Sequence, residues 1–376
     1  MITALHNTQL ITGGAVVSGK AILIEGKYIK AIIDAGDIPD DAERIDLKGA
    51  YTAPGLIDLQ IYGAGTSLFG GLPSVEALAE MEQVLLKQGT TGFFATIATN
   101  SDEVVLQGID AAKQYLPKAK GNFLGLHLEG PYLNPKRKGA HPENYIKKAT
   151  LSELKNWVER GEGVIKMMTI APELQDDEVM EYLSSQNIII SAGHSDATYS
   201  QASSFFNSPV TAATHLFNAM PQMHHREPGI IPAIFEQRPY TSIVADGVHV
   251  SFPMIALAKR ELGDKLFFIT DAVTVANKGA YQHQLQGDRY VMPDGTLSGS
   301  ALTMLKAVEN GVKEVDISLP EAINMASLYP AQLASLTKKG KIEAGYFADL
   351  IIFNDSFTVA TTFLQGEIVY AVNQQY

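Results

Sequence analysis

The feature of the sequence that most restricts its fold is a series of eight short apolar segments separated by amphipathic stretches. The apolar segments are residues 56–61, 92–97, 123–128, 164–170, 188–192, 212–216, 242–245 and 266–269. Stretches with helical spacing lie at residues 75–86, 102–115, 176–185, 253–262, 301–310 and 320–336. Short apolar segments bounded by turns are typical of parallel strands that are buried on both faces. Eight alternating strand and helix segments predict an α/β fold of the (β/α)8 TIM barrel type.

Residues that could carry chemistry follow most of the apolar segments. The residues at the segment ends are Gln60, Thr96, Glu129, Glu173, His194, His215, Asp246 and Asp271. A single Glu or His at a strand end is more often an exposed or hydrogen-bonded residue than a ligand. In a (β/α)8 barrel, however, the C-terminal ends of all strands meet at one rim, and this rim carries the active site. The repetition therefore predicts that these side chains converge on one site.

The two ends of the chain show a different pattern of short strands and turns. Strand patterns occur at 9–11, 21–24 and 29–33, and again at 348–353, 357–363 and 366–371. Neither group has enough strands to form a sandwich alone, but the two groups together do. We therefore expect a small, discontinuous β-sandwich domain of residues 1–52 and 340–376, with a catalytic barrel at 53–339.

Composition and charge exclude several classes of protein. The net charge of −12 argues against nucleic acid or an anionic membrane as the main partner, although one basic cleft could still bind an anionic substrate. The chain has no cysteine, so a metal site must use His, Asp and Glu. No signal peptide or membrane-length apolar segment is found, which predicts a soluble, cytoplasmic protein with a small-molecule substrate.

The most specific site prediction is a metal centre formed by Glu129, His194 and His215. In a barrel these residues end the third, fifth and sixth strands and lie on one rim. Two imidazoles and a carboxylate suit zinc or ferrous iron and leave positions open for water. Asp271, after the eighth strand, is the candidate general base, because a nearby carboxylate can take the proton of a metal-activated water. Its alternative role is to cap the following helix.

Several motifs resemble the amidohydrolase superfamily, and in particular its deacetylases of N-acetylated sugar phosphates. The motifs are Pro54-Gly-Leu-Ile-Asp58, His127-Leu-Glu-Gly-Pro131, Gly193-His-Ser-Asp-Ala197, Thr214-His-Leu-Phe-Asn-Ala-Met220, Arg226-Glu-Pro-Gly229, Asp246-Gly-Val-His249 and Leu297-Ser-Gly-Ser300. The resemblance covers the chain from end to end. It implies a metal-dependent hydrolase that releases acetate from N-acetyl-D-glucosamine 6-phosphate in amino sugar catabolism.

One stretch departs from the superfamily pattern. Many amidohydrolases carry Asp-x-His-x-His after the first strand, where two imidazoles bind a second metal. Here Gln60 and Tyr62 follow Asp58 at those places. Neutral Gln and Tyr are poor replacements for imidazoles, so the resemblance implies a single divalent metal per chain, zinc or iron, with Gln60 at a vestigial second-metal position.

The resemblance also implies a substrate site. Arg226 and His249 match the phosphate-binding pair of the family, together with the backbone of Asn218 and Ala219. The remaining substrate-binding candidates are Ala140, His141, Asp246 and Leu297. His141 is expected to polarise the acetamide carbonyl together with the metal. The family resemblance further implies a homodimer, or a dimer of dimers, in which His249 reaches the neighbouring active site.

Three aromatic residues outside these motifs are given structural roles. His224 and His225 match no motif and are interpreted as loop residues, and Trp157 is expected to pack inside the protein. Three alternatives to the implied activity stay open. They are the galacto epimer of the substrate, an unphosphorylated substrate such as a cyclic amide, and a non-catalytic barrel that serves as a binding module.

Overall fold

The computed structural model describes residues 1–206 and 208–372, and its central sheet has eight parallel strands. The strands are Leu56–Ile61, Thr90–Ala98, Phe123–Glu129, Ile165–Ile170, Ile189–Ala192, Ala212–Ala213, Tyr240–Val244 and Leu266–Ile269, and their order in the sheet follows the sequence. The ring closes where Ile61 forms a parallel bridge with Ala272 and the Asp271 amide donates to the Gln60 carbonyl at 2.9 Å. The predicted (β/α)8 barrel is therefore confirmed.

At least one helix follows each of these strands along the chain. Their bounds are Val75–Lys87, Asp102–Tyr115, Leu151–Gly161, Asp177–Ser185, Tyr199–Phe206, Ile230–Gln237, Phe252–Leu262, Met304–Lys313, Leu319–Ala326 and Leu328–Leu333. Short 3₁₀ turns lie at Ala35–Asp37, Leu116–Lys118, Pro135–Arg137, Glu143–Tyr145, Pro172–Leu174 and Gly263–Lys265. The helices Tyr199–Phe206 and Ile230–Gln237 were not predicted from the sequence.

A capped first turn and a buried face stabilise the helix Leu151–Gly161. The Thr150 side chain accepts a hydrogen bond from the Glu153 amide and so caps the first turn. Trp157 is buried on the inner face and stacks on Tyr132, with ring centroids 5.6 Å apart. The predicted packing role of Trp157 is confirmed.

Both chain termini contribute to a pair of β-sheets. One sheet has the strand order Tyr28–Asp34, Lys20–Glu25, Ile2–His6, Glu43–Asp46, and the other has the order Glu367–Ala371, Val359–Leu364, Leu350–Phe353, Tyr51–Pro54, Gln9–Thr12, Ala15–Val17. Apolar side chains of both sheets, including Leu5, Ile22, Leu10, Leu350 and Phe363, form one buried cluster. This shared core confirms the predicted β-sandwich of the termini.

A small antiparallel sheet follows the eighth barrel strand and was not predicted. Its strands are Gln284–Gln286, Arg289–Val291 and Leu297–Ser300, and a two-stranded hairpin of Gly63–Ala64 and Ser67–Leu68 follows the first barrel strand. Strands of two to four residues carry too little alternation to be recognised in a sequence.

By the density of its contacts the chain divides into two compact units. One contains residues 1–58, 83–92 and 303–376, and the other contains residues 59–82 and 93–302. The domain boundaries near residues 52 and 340 stay a prediction. Among the described helices, none combines the length and the apolar character that crossing a membrane requires.

Candidate active site

Three residues at the strand ends share an uncommon backbone conformation. His194, His215 and Asp271 have φ angles of 49°, 35° and 55°. Residues other than glycine rarely adopt this left-handed backbone region, and residues held there cluster at functional sites. The preceding Gly193 is required by space, because a Cβ at this position would lie 2.6 Å from Cγ2 of Thr169. The chain therefore turns sharply at the rim, and all three side chains line one pocket.

The predicted metal-binding residues converge on the carboxylate of Glu129. Nε2 of His215 lies 2.9 Å and Nε2 of His194 lies 3.3 Å from Oε1 of Glu129. Nε2 of His141 lies 3.4 Å from the other carboxylate oxygen. All four side chains are buried. Three imidazoles therefore surround one buried carboxylate.

The chemistry of these donors fits a divalent metal. Nδ1 of His194 lies 2.7 Å from the carbonyl oxygen of Arg137, which only accepts, so Nδ1 carries the proton and the neutral ring has its lone pair on Nε2. Nε2 of His215 lies 3.1 Å from this atom, and Nδ1 of His215 has no hydrogen-bond partner among the described residues. Lone pairs and a negative carboxylate that point at each other are favourable only with a proton or a cation between them.

The structure adds His141 to the possible metal-binding residues. The ligand atoms of Glu129, His141 and His194 all lie within 4.8 Å of one another. Sequence reasoning placed His141 at the substrate instead and chose His215 as the third ligand. The proximity of His215 to both Glu129 and His194 keeps it in the group, so four side chains are candidates to hold a metal.

The pKa values in the cluster reflect burial and mutual contacts. Burial raises the pKa of Glu129, but its contacts with His141, His194 and His215 outweigh burial and hold this pKa well below its usual range. Burial, with the charge of His141, lowers the pKa of His194 to about 4. Burial lowers the pKa of His215, but the bond to Glu129 outweighs it and the net shift is upward. Burial, together with the negative charge of Glu129, raises the pKa of Asp271 to about 6.

Gln60 and Tyr62 occupy the two positions at which many amidohydrolases carry metal-binding imidazoles. Nε2 of Gln60 lies 2.8 Å from Oδ1 of Asp271 and 3.1 Å from Oε1 of Glu129. The hydroxyl of Tyr62 donates to the other oxygen of Glu129. Both side chains are neutral and buried, and they contact the carboxylates directly.

The cluster forms part of the wall of a pocket of about 210 Å³. Six of the predicted substrate-binding residues line it, namely Ala140, His141, Asn218, Ala219, His249 and Leu297. Tyr281, His283 and Ser298 also line it and were not predicted. The Tyr281 hydroxyl donates to the Thr99 carbonyl at 2.8 Å and lies 3.3 Å from Nδ1 of His141. An irregular loop supplies Tyr281 and His283, and no sequence pattern marks them.

His249 is held by two hydrogen bonds at the pocket of its own chain. Its predicted contact with a neighbouring active site involves a second chain and stays a prediction, and within this chain the His249 ring lines the pocket. Nδ1 lies 2.6 Å from the Asp246 carboxylate, and Nε2 lies 2.6 Å from the Ser298 carbonyl. Both partners only accept, so both ring nitrogens carry protons and His249 is an imidazolium. Burial lowers the pKa of His249, but the Asp246 carboxylate outweighs it and the net shift is upward.

The other predicted substrate residues lie outside this lining. The Asp246 carboxylate contacts Nδ1 of His249, and its Oδ1 accepts hydrogen bonds from the backbone amides of Val248 and His249. Arg226 is exposed, and its guanidinium forms no ion pair within residues 1–206 and 208–372. His224 and His225 are exposed residues of the same loop, where their rings lie 4.3 Å apart.

Comparison with known proteins agrees with this geometry. The amidohydrolase family profile matches residues 51–369, and a NagA composite domain profile matches residues 3–51. The N-acetylglucosamine-6-phosphate deacetylase of Haemophilus influenzae is 36% identical over 97% of this chain and 98% of its own length. The structure of the Pasteurella multocida deacetylase of the same name superposes with a TM-score of 0.94 at 36% identity, covering 98% of this chain and 99% of that one. A mutant of the Mycobacterium smegmatis deacetylase, solved in complex with N-acetyl-D-glucosamine-6-phosphate, superposes with a TM-score of 0.91 at 26% identity over 98% of this chain and 100% of that one. The chain therefore belongs to the amidohydrolase family and is a hydrolase whose relatives are N-acetylglucosamine-6-phosphate deacetylases.

Proposed function

We propose that this enzyme hydrolyses the acetamide of N-acetyl-D-glucosamine 6-phosphate and gives acetate and D-glucosamine 6-phosphate. The observation that carries the proposal is the placement of Asp271 beside the Glu129–imidazole cluster in one buried pocket, linked to it through Gln60. The names of the relatives, and the sugar phosphate bound to the Mycobacterium smegmatis protein, support the substrate.

Glu129, His194 and His215 are the residues that would hold one divalent metal, zinc or iron, with His141 beside them. A metal bound there supplies Lewis acidity, which polarises a carbonyl and lowers the pKa of water. The first oxygen of Glu129 faces His194 and His215, and its second oxygen faces His141 and Tyr62. The set of two imidazoles and one carboxylate leaves coordination positions for water and substrate.

Asp271 is the proposed general base and acid. It takes a proton from the attacking water as the water oxygen bonds to the acetamide carbon. It then gives a proton to the sugar nitrogen as the carbon–nitrogen bond breaks. A carboxylate whose pKa is about 6 suits both transfers near neutral pH, because neither protonation state is strongly favoured.

His141 is proposed to orient and polarise the acetamide carbonyl. Its Nε2 faces the cluster, 3.4 Å from Glu129. On the other side of the ring, Nδ1 lies 3.3 Å from the Tyr281 hydroxyl, whose own proton goes to the Thr99 carbonyl. The Tyr281 hydroxyl therefore accepts a hydrogen bond from Nδ1–H, which directs Nε2 into the pocket. The imidazolium form, which carries a proton on Nε2 as well, is the form that would donate to the acetamide carbonyl.

The 6-phosphate is proposed to bind through Arg226 and His249. His249 contributes a buried positive charge to the wall of the pocket, and Arg226 offers a guanidinium suited to forked contact with phosphate. Backbone groups of Asn218 and Ala219 complete this side. Ala140 and Leu297 line the pocket and are proposed sugar contacts, and Asp246 acts by holding His249.

The organisation of the protein beyond one chain is also a proposal. We expect the β-sandwich of residues 1–52 and 340–376 and the barrel of residues 53–339 to behave as separate domains. We further expect a homodimer or a dimer of dimers in the cytoplasm.

Acetate release by purified, metal-analysed protein tests the function. N-acetylglucosamine 6-phosphate should be hydrolysed, and its galacto epimer is the comparison substrate. Preference for the galacto epimer would move the assignment to that sugar. No acetate from either epimer by protein that contains metal would favour the non-catalytic binding module.

A further inference from the structure

We propose that Gln60 and Tyr62 are positioning residues whose hydrogen bonds hold the carboxylates of Glu129 and Asp271 in place. The inference deepens the proposed function and rests on it for the roles of these two carboxylates. It assigns a structural role to two neutral residues at the positions where many amidohydrolases carry two metal-binding imidazoles.

The orientation of the Gln60 amide follows from its neighbours. Nε2 lies 2.8 Å from Oδ1 of Asp271 and 3.1 Å from Oε1 of Glu129. Ionised carboxylate oxygens only accept hydrogen bonds, so the amide nitrogen and not the amide oxygen faces both of them. The two N–H groups of one side chain supply these two bonds. Gln60 therefore links the proposed metal ligand to the proposed base.

Tyr62 acts on Glu129 alone. Its hydroxyl donates to Oε2, the carboxylate oxygen that Gln60 does not contact. Each oxygen of Glu129 thus has a donor from this pair, which fixes the rotation of the carboxylate. Tyr62 is also close to Gln60, with 3.0 Å between the phenol oxygen and Nε2. Hydrogen bonds of this kind to a metal ligand orient it and tune its affinity for the metal.

Two carboxylates near one another in a buried site repel when both are ionised. Glu129 is 1% exposed, and the amide of Gln60 joins it to Asp271. A second metal would offset this repulsion by its charge. Gln60 reduces this repulsion by donating to both carboxylates, and the two bonds hold the pair in place.

Binding of Zn²⁺ alone tests the link to Glu129. The dissociation constant is measured by competition with a chromogenic chelator for the wild-type protein, Gln60→Met and Tyr62→Phe. Loss of either donor should weaken Zn²⁺ binding about 10- to 100-fold. Tyr115→Phe is the matched control, because its hydroxyl also donates to a buried carboxylate, that of Glu82. This control should bind Zn²⁺ as the wild type does. Unchanged Zn²⁺ affinity in both Gln60→Met and Tyr62→Phe would overturn the proposal.

Turnover at saturating Zn²⁺ separates the roles of the two residues. Gln60→Met should lower kcat at least about tenfold with little change in KM, because Gln60, unlike Tyr62, donates a hydrogen bond to Asp271. Tyr62→Phe should lower kcat less than Gln60→Met does, because Tyr62 donates to Glu129 and not to Asp271. Equal kcat values for Gln60→Met and wild type would disprove the link to Asp271. If wild-type protein releases no acetate, the proposed function fails, while the Zn²⁺ measurement still decides whether the pair holds Glu129.

Discussion

Nε2 of His194 lies 3.1 Å from Nε2 of His215, and both rings are buried. The Arg137 carbonyl accepts a hydrogen bond from Nδ1–H of His194, which leaves the lone pair of this ring on Nε2. Nε2 of His215 therefore cannot face it with a second lone pair unless a positive charge lies between or beside the two atoms. A metal that shares Glu129 with the two rings meets this requirement. A single proton on Nε2 of His215 is the alternative, and Nδ1 of His215 has no partner among the residues that the structure describes in either case.

The first prediction is one tightly bound divalent metal per chain. Gln60 and Tyr62 provide no second pair of imidazoles, and the candidate ligands surround one position. Elemental analysis of purified protein, with anomalous scattering from crystals, measures the number and the place. Two fully occupied metal positions in active protein would contradict the single-metal centre.

The second prediction concerns the base. Asp271→Asn should keep the metal and the fold but lose about a hundred- to ten-thousand-fold in kcat, because an amide cannot accept the water proton. Glu129→Gln should instead lose metal affinity first, since it weakens a ligand. The two variants are compared by metal content and by kcat at saturating metal. Near-normal turnover of Asp271→Asn would place the base elsewhere.

The third prediction is a pH dependence of stability caused by His283. Its ring is buried, stacks on Tyr281 and has Nδ1 3.0 Å from the Ser298 hydroxyl. Burial lowers the pKa of His283 from 6.5 to about 4. Between these values the unfolded chain binds a proton that the folded chain does not. The contribution of His283 to folding is therefore complete above pH 6.5 and is lost as the pH falls towards 4.

Urea unfolding of metal-free protein at several pH values measures this effect. Relative to His283→Gln, the wild type should lose up to roughly 3 kcal/mol of unfolding free energy between pH 7 and pH 4, since each tenfold difference in proton affinity is worth about 1.4 kcal/mol. Other buried histidines are common to both proteins and cancel in the difference. Parallel pH curves for the two proteins would show that His283 titrates normally.

The sequence predicts the barrel and the strand-end residues because both depend on local patterns. Continuous apolar segments mark the strands. The C-terminal rim of the barrel brings Glu129, His194, His215 and Asp271 together independently of the loop conformations. Tyr281 and His283 could not be found in this way, because an irregular loop reaches the pocket only through tertiary contacts. The hydrogen bonds that enclose His249 could not be predicted for a related reason. Its two hydrogen-bond partners, Asp246 and Ser298, come from separate parts of the chain, and only the folded structure shows that they enclose the ring.

The last prediction concerns the phosphate. If Arg226 contacts the 6-phosphate, Arg226→Ala should lower kcat/KM for N-acetylglucosamine 6-phosphate about 10- to 100-fold, because a hydrogen bond to a charged group is worth about 1.5–3 kcal/mol. The same variant should act on unphosphorylated N-acetylglucosamine as poorly as the wild type does, since that substrate offers no phosphate to lose. Arg260→Ala is a matched control, because Arg260 is an exposed arginine paired only with its neighbour Glu261 among the described residues. It should leave kcat/KM unchanged for both substrates. An equal loss on both substrates in Arg226→Ala would assign Arg226 to the support of its loop and leave the buried charge of His249 as the phosphate contact.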